Sequence, residues 1–218
     1  MNILLNQYNF DEPWAKPVLE NIIKPDSKVL IVPFSFKDDL MQGNCDWIKH
    51  YGNISGKWYP EIVRPFLQYG LTEESLTWLD YYLDTPETAK KKIWKSDIIF
   101  FTGGLPDKTM DRLAEAGLVQ AIQQFTGVII GCGAGASIQF QEYHITPDED
   151  YDEYVYRNGF NFIRDFEIEP HYAGTQVQEE AIKRYKRERG KTLYAIGDQG
   201  GIIVDDGKLT FFGDVKKI

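Results

Sequence analysis

The sequence predicts an α/β fold, a three-layer α/β/α arrangement around a mostly parallel central sheet that ends in a C-terminal β-hairpin. Three observations predict it. Short apolar runs rich in β-branched and aromatic residues lack the alternation of half-exposed strands, so both of their faces must be covered. Segments of helical period separate these runs, and that alternation builds parallel sheets. Near the carboxyl end, Asp206-Gly207 sits between two apolar runs, a pairing that favours a tight turn between antiparallel strands.

Taken in order, Ile3 to Leu5 opens the chain as a strand. Trp14 to Ile23 carries apolar residues at 14, 18, 19, 22 and 23, behind Asp11 and Pro13 as helix-start signals. Lys28 to Pro33 (KVLIVP), Asp97 to Thr102 (DIIFFT) and Gly127 to Gly131 (GVIIG) read as buried central strands, and Tyr59 to Tyr69 and Pro86 to Trp94 as helices. Pro106 to Leu118 places Met110, Leu113 and Leu118 at near-helical intervals after the turn Gly103-Gly104. The same order of strand, glycine turn and helix recurs from Val128 to Phe140. Both turns then fall at carboxyl ends of strands, where open α/β sheets gather their binding sites. Beyond Phe140 an acidic, tyrosine-rich segment (PDEDYDEYVY) reads as a surface excursion that leads through Gly159 to an apolar stretch and His171. Val177 to Arg189 reads as a helix, Thr192 to Ile196 as a strand, and GGIIVDDGKLTFFG as closing antiparallel strands.

A length of 218 residues suits one α/β domain, 1–218, and suffices to bury a core without disulfides or metal. With 43% hydrophobic and 26% charged residues the chain is neither disordered nor membrane-embedded in composition. The opening MNILLNQYNFDEP has no basic segment before its apolar run, so no secretory signal and a cytoplasmic setting are expected. Cys45 and Cys132 are too few for a disulfide scaffold and lack neighbours at zinc-ligand spacing, so neither metal nor cofactor is expected. A net charge of -9 repels phosphate backbones, which argues against a nucleic-acid partner. The basic run Lys183 to Lys191 reads as the solvated end of a helix.

The informative segment is VIIGCGAGASIQF, residues 128 to 140, in which a buried strand runs into Gly131, Gly133 and Gly135 and then into a helix. Such a strand-to-helix turn needs flanking glycines because neighbouring backbone approaches closely, and it holds its central side chain at the rim of the sheet. In this spacing the central residue is Gly133.

Here the chain resembles the peptidase E family of aspartyl dipeptidases and their cyanophycinase relatives, whose elbow Gly-x-Ser-Ala-Gly-Ala is matched by Gly131-Cys132-Gly133-Ala134-Gly135-Ala136 except for the serine. Further similar pieces are VLIVPFS at 29–35, FTGG at 101–104, PHY at 170–172 and AIGDQGGIIV at 195–204, so the resemblance spans most of the chain. It implies a flavodoxin-like, class I glutamine amidotransferase-like fold and a serine exopeptidase acting on aspartyl dipeptides. It puts the nucleophile at Gly133, its base at His171, and the oxyanion-binding N–H groups at Ala134 and the Gly103-Gly104 turn. Two acids fit the role of orienting His171: Asp148, at the dipeptidase distance after the elbow, and Asp198, in a segment resembling the one that supplies the cyanophycinase acid.

Glycine has no oxygen or sulfur to form an acyl intermediate, so the standard reaction is not expected. Cys132 offers a neighbouring sulfur, although cysteine is also a common buried small residue. Ser137 lies one helical turn along the same face, about 6 Å away Cα to Cα, although a helix serine also commonly bonds backbone. His171 is either a retained base or a relic, and His144 and His50 read as structural or surface residues. Arg164 and Gln139 are the candidates for specificity. Three function classes follow: a protein that binds a peptide or small acyl ligand without hydrolysing it; a hydrolase of altered chemistry using Cys132 or a His171-activated water; and an assembly role for the segment Tyr151 to Tyr156. A homodimer is compatible with each.

Overall fold

A computed structural model describes residues 1–53 and 55–218. Its sheet has five parallel strands: β1 (Asn2–Leu5), β2 (Val29–Val32), β3 (Leu76–Trp78), β4 (Ile98–Phe101) and β5 (Val128–Cys132). They lie in the order β1-β5-β4-β2-β3. All four residues of β2 and of β4 are buried, as apolar runs without alternation require. The helices α1 (Lys16–Leu19), α2 (Asn44–Tyr51), α3 (Tyr59–Gln68), α4 (Pro86–Lys95), α5 (Pro106–Glu115) and α6 (Val119–Gln123) connect these strands. Pro86 stands in the first turn of α4, where its missing N–H costs nothing, and Thr85 caps the helix by accepting the N–H of Thr88.

After β5 come α7 (Ala134–Ser137), β6 (Glu142–Ile145), β7 (Val155–Asn158), β8 (Phe166–Glu169), α8 (Gln176–Arg189), β9 (Thr192–Asp205) and β10 (Lys208–Lys217). Strand β9 serves three neighbours. Its first residues pair parallel with β8, its last residues pair antiparallel with β1, and β10 runs antiparallel along it past a bulge at Gly213/Val215. The two are joined at Asp206-Gly207, where φ is 47° and 78°, the paired positive values of a type I′ hairpin turn. The main apolar core extends from Ile3 to Phe212, and Ile182, Tyr185 and Leu193 form a smaller cluster.

Several boundaries differ from the sequence reading. The expected helix 14–23 is regular only over α1 and continues as hydrogen-bonded turns to Ile23. The expected helix 106–118 is divided, because the chain turns at Gly117 (φ 65°) and Leu118 N–H returns to the carbonyl of Leu113. The surface excursion after Phe140 contains the separate β6–β7 hairpin, and its tyrosines face their own chain. Tyr151 donates to Asp107 at 2.5 Å, Tyr154 stacks on His144, and Tyr156 packs against Tyr185. Arg184 and Arg189 of the basic run pair with Glu188 and Glu142 and lie over Tyr154 and Tyr156. No described helix is long and apolar enough to cross a membrane.

Candidate active site

The carboxyl ends of β1, β2, β4 and β5 converge on Gly133. Here the backbone turns from strand into α7 with φ 51° and ψ -110°, a conformation that side chains rarely tolerate. A Cβ on Gly131 would collide with the backbone of Gly135, and one on Gly135 with the backbone of Phe101, so both flanking positions require glycine. Gly133 donates its N–H to the Leu5 carbonyl at 2.8 Å, fixing the apex to the end of β1. A Cβ placed on Gly133 would lie 2.8 Å from His171 Nε2 and 3.8 Å from Gly103 Cα. The apex therefore faces the imidazole and the glycine turn at once.

His171 follows β8 and is itself held at φ 50°. Its carbonyl accepts from Gln178 Nε2 at 2.9 Å, and the next N–H, of Tyr172, donates to Ile196 on β9 at 2.9 Å. Its Nδ1 lies 3.1 Å from Asp198 Oδ1, which leaves Nε2 turned toward the elbow. Of the two expected acids, Asp198 is the one beside His171. Asp148 lies in the loop after β6, and its Oδ1 instead accepts the N–H groups of Asp150 and Tyr151 at 2.7 and 3.0 Å. The placement of Asp148 has a local cause, since an aspartate two or three residues before free N–H groups closes its own turn.

The two candidate substitute nucleophiles are committed elsewhere. Cys132 is completely buried, its thiol donates to the Gln7 carbonyl at 3.3 Å, and burial pushes its pKa well above the ordinary thiol value. Ser137 is buried with its hydroxyl on the Gly133 carbonyl at 3.3 Å. The glycine turn also departs from expectation. Gly103 N–H donates to Tyr8 Oη at 2.7 Å, whereas neither Gly104 N–H nor Ala134 N–H donates a hydrogen bond among the described residues. Burial raises the Tyr8 pKa well above its usual value, so this phenol stays neutral and its oxygen remains a neutral acceptor for Gly103. Tyr8 with Phe36, Tyr51 and Trp58 lines an aromatic cavity of about 260 Å³ behind the turn.

In front of the turn lies a cavity of about 370 Å³ onto which Gly104, Gly133, Ala134 and His171 all open. Asp148, Tyr151 and Glu169 also line it. Glu169 belongs to a buried cluster the sequence reading did not assemble. His144 Nε2 lies 2.7 Å from Glu169 Oε2, and His144 Nδ1 lies 2.7 Å from Glu167 Oε1. Burial opposes charge on His144, but the two carboxylates outweigh it and hold the pKa up at about 10. The neighbouring Glu167 carboxyl is raised by its burial. His50 stacks on Trp58, at 4.1 Å between ring centres.

Neither specificity candidate lines the cavity. Gln139 is fully buried and bonds Asn2 and the carbonyls of Ile3 and Gly135, and Arg164 bonds Asn161 on the surface. Among the described residues, no group of three or more histidines, cysteines or carboxylates is placed to hold a metal ion. Missed by the sequence reading were Asn6, Gln7 and Tyr8. Asn6 Nδ2 donates to the carbonyls of Ile196 and Gly197 at 2.5 and 2.8 Å, and Gln7 reaches Asp198 at 3.4 Å. Their signal was positional, as they directly follow a strand whose carboxyl end borders the site.

The model of peptidase family S51 matches residues 55–212. In structure, the chain is similar to a protein provisionally named peptidase E from Listeria monocytogenes EGD-e, with 16% identity, a TM-score of 0.66, and 100% of this chain and 98% of that one covered. It is likewise similar to a peptidase from an acI-B1 Actinobacterium, with 16% identity, a TM-score of 0.68, and 98% and 87% covered. At these identities the two structures speak for the fold. No curated protein matches the sequence.

Proposed function

The chain belongs to peptidase family S51, and from that premise we infer that it is a peptidase-fold protein that binds a peptide or small acyl ligand without cleaving it through a covalent intermediate. The observation that carries this reading is Gly133 at the elbow apex, facing His171 with no side chain to activate. The nearest thiol and hydroxyl do not replace it, since Cys132 is buried with a raised pKa and Ser137 is bonded to backbone. His171 and Asp198 are the retained base and its orienting acid, and the N–H groups of Gly104 and Ala134 are the donors left to a ligand carbonyl oxygen.

The test is a panel of aspartyl dipeptides followed by product release. A triad lacking its nucleophile retains only about 10³ to 10⁴-fold acceleration over water, so no rapid turnover is expected. Rapid hydrolysis by the unaltered chain overturns the reading. In Gly133→Ser, recovered hydrolysis would show that base, acid and oxyanion donors persist, and continued inactivity would point to a redirected cavity.

The paired His171 and Asp198 favour one second reading, slow hydrolysis in which His171 activates water directly. That reading expects a slow rate that His171→Ala abolishes and Cys132→Ala leaves unchanged.

A further inference from the structure

The cavity of about 260 Å³ on the other side of the glycine turn is unused by the elbow chemistry. Its walls are the rings of Tyr8, Phe36, Tyr51 and Trp58 with the aliphatic side chains of Leu40 and Ile62. Leu40 is 43% exposed, so the apolar lining continues to the molecular surface. The rings are fixed by their own packing: Tyr51 lies on Trp47 and Trp58, at 4.8 and 5.2 Å between ring centres, and Phe36 on Trp47 at 6.1 Å. Such walls favour a flat apolar group, because ring-on-ring contact adds to the gain from buried area. Among the described residues the charges on the lining are Lys37 and Glu61, one of each sign, and Lys37 is paired with Asp150. That balance offers an acidic occupant no free cation. A cationic occupant is disfavoured as well, since the Arg112 guanidinium already lies 3.6 Å over the Phe36 ring and the Lys57 ammonium 5.7 Å over that of Trp58.

Two hydroxyls narrow the chemistry further. Tyr51 is 7% exposed, yet its hydroxyl makes no hydrogen bond among the described residues. Tyr8 Oη accepts the Gly103 N–H at 2.7 Å, and its own proton likewise has no acceptor among them. Burial raises both pKa values, so both phenols stay protonated and both are donors. A hydroxyl held in an apolar wall without a partner is costly unless what fills the cavity brings one. Gly104 lines both this cavity and the one that opens onto Gly133, Ala134 and His171, and the Gly103-Gly104 turn leaves bare backbone between the two.

We propose that the ring-lined cavity receives a side chain of the ligand bound at the elbow, and that this side chain is an uncharged aromatic ring bearing a hydroxyl, as in a tyrosyl residue. The inference rests on the binding function proposed above and assigns its ligand class. With a ligand carbonyl held by the N–H groups of Gly104 and Ala134, the adjoining side chain crosses the glycine turn into the cavity, and its hydroxyl meets those of Tyr51 and Tyr8. A site built to bond a hydroxyl discriminates against the ring that lacks it.

The experiment is calorimetric titration of the full chain with the capped amides N-acetyl-tyrosine amide, N-acetyl-phenylalanine amide, N-acetyl-alanine amide and N-acetyl-aspartate amide. The tyrosine probe should bind at least about tenfold tighter than the alanine probe and about fivefold tighter than the phenylalanine probe, with the aspartate probe no tighter than alanine. Tyr51→Phe should lower tyrosine binding to the phenylalanine level and leave phenylalanine binding unchanged, a pattern that loss of the fold does not produce. Leu40→Trp, at an exposed position, fills the mouth of the cavity and should weaken both aromatic probes by about tenfold. A tyrosine probe no tighter than the other three, an unchanged tyrosine preference in Tyr51→Phe, unaltered aromatic binding in Leu40→Trp, or no binding of any probe overturns the proposal. Its failure is distinguishable from that of the function above. Hydrolysis of dipeptides would refute binding without cleavage and leave the ranking of tyrosyl against aspartyl substrates to decide the ligand class, whereas tighter binding of the aspartate probe would refute the ligand class and leave binding without cleavage standing.

Discussion

At the scale of single residues, Gly133 combines two constraints that ordinarily oppose each other. The backbone at φ 51° and ψ -110° favours glycine, while a nucleophile elbow tolerates the strain in order to present a side chain. Gly133→Ala should therefore destabilise the fold by about 1–3 kcal/mol in urea unfolding, from backbone strain and from displacing His171. Gly133→Ser carries the same strain, and its Cβ, 2.8 Å from His171 Nε2, is accommodated only if the half-exposed imidazole shifts away. Cys132 gives a direct chemical check. Cys45 is exposed and Cys132 buried, so a thiol reagent should modify one equivalent in the native protein and two in denaturant. Rapid modification of both in the native state would return Cys132 to the list of nucleophiles. Gly133 and His171 were legible because each sits in a short motif. The choice of Asp198 over Asp148 was not, because it depends on β9 passing beside His171, a contact between segments distant in the chain.

At the scale of elements, the cluster of Glu167, His144 and Glu169 ties the β6–β7 hairpin to β8, the strand that leads into His171. Breaking it by His144→Ala leaves two carboxylates buried without their cation and should cost about 3–5 kcal/mol. The sign of its pH dependence follows from a folded pKa raised from 6.5 to about 10. The stabilisation is complete below about 6.5 and is lost as pH rises through about 10. An NMR titration should find the His144 ring protonated at pH 8, and a ring neutral there contradicts the assignment. Buried apolar strands such as β2 and β4 announce themselves by composition alone. The strands β6 and β8 do not, because they carry Glu142, His144, Glu167 and Glu169, whose burial or pairing is arranged by partners elsewhere, and β7 is half-exposed. Strand β3 is only three residues long and is set by its pairing with β2.

At the scale of the molecule, the amino-terminal strand lies inside the sheet, with β5 on one side and the carboxyl-terminal arm β9 on the other. The sequence could indicate a closing hairpin, but not that its first strand would bend to serve β8, β1 and β10 together. This arrangement couples the site to the arm, since β9 supplies the carbonyls that hold Asn6 and Tyr172, and Asp198 itself. A chain ended at Arg189 would keep all five parallel strands but leave β1 as an unpaired apolar edge, and would strip β8 of its strand partner among the described residues. Exposed edges of this kind recruit other chains. The truncated protein should therefore be recovered as aggregate rather than monomer in sedimentation, while Asp198→Asn, which leaves β9 in place, should sediment as the unaltered protein does. A soluble, cooperatively folded monomer from the truncation would show that the parallel strands form a stable unit without the arm, and that His171 depends on β9 for its position only.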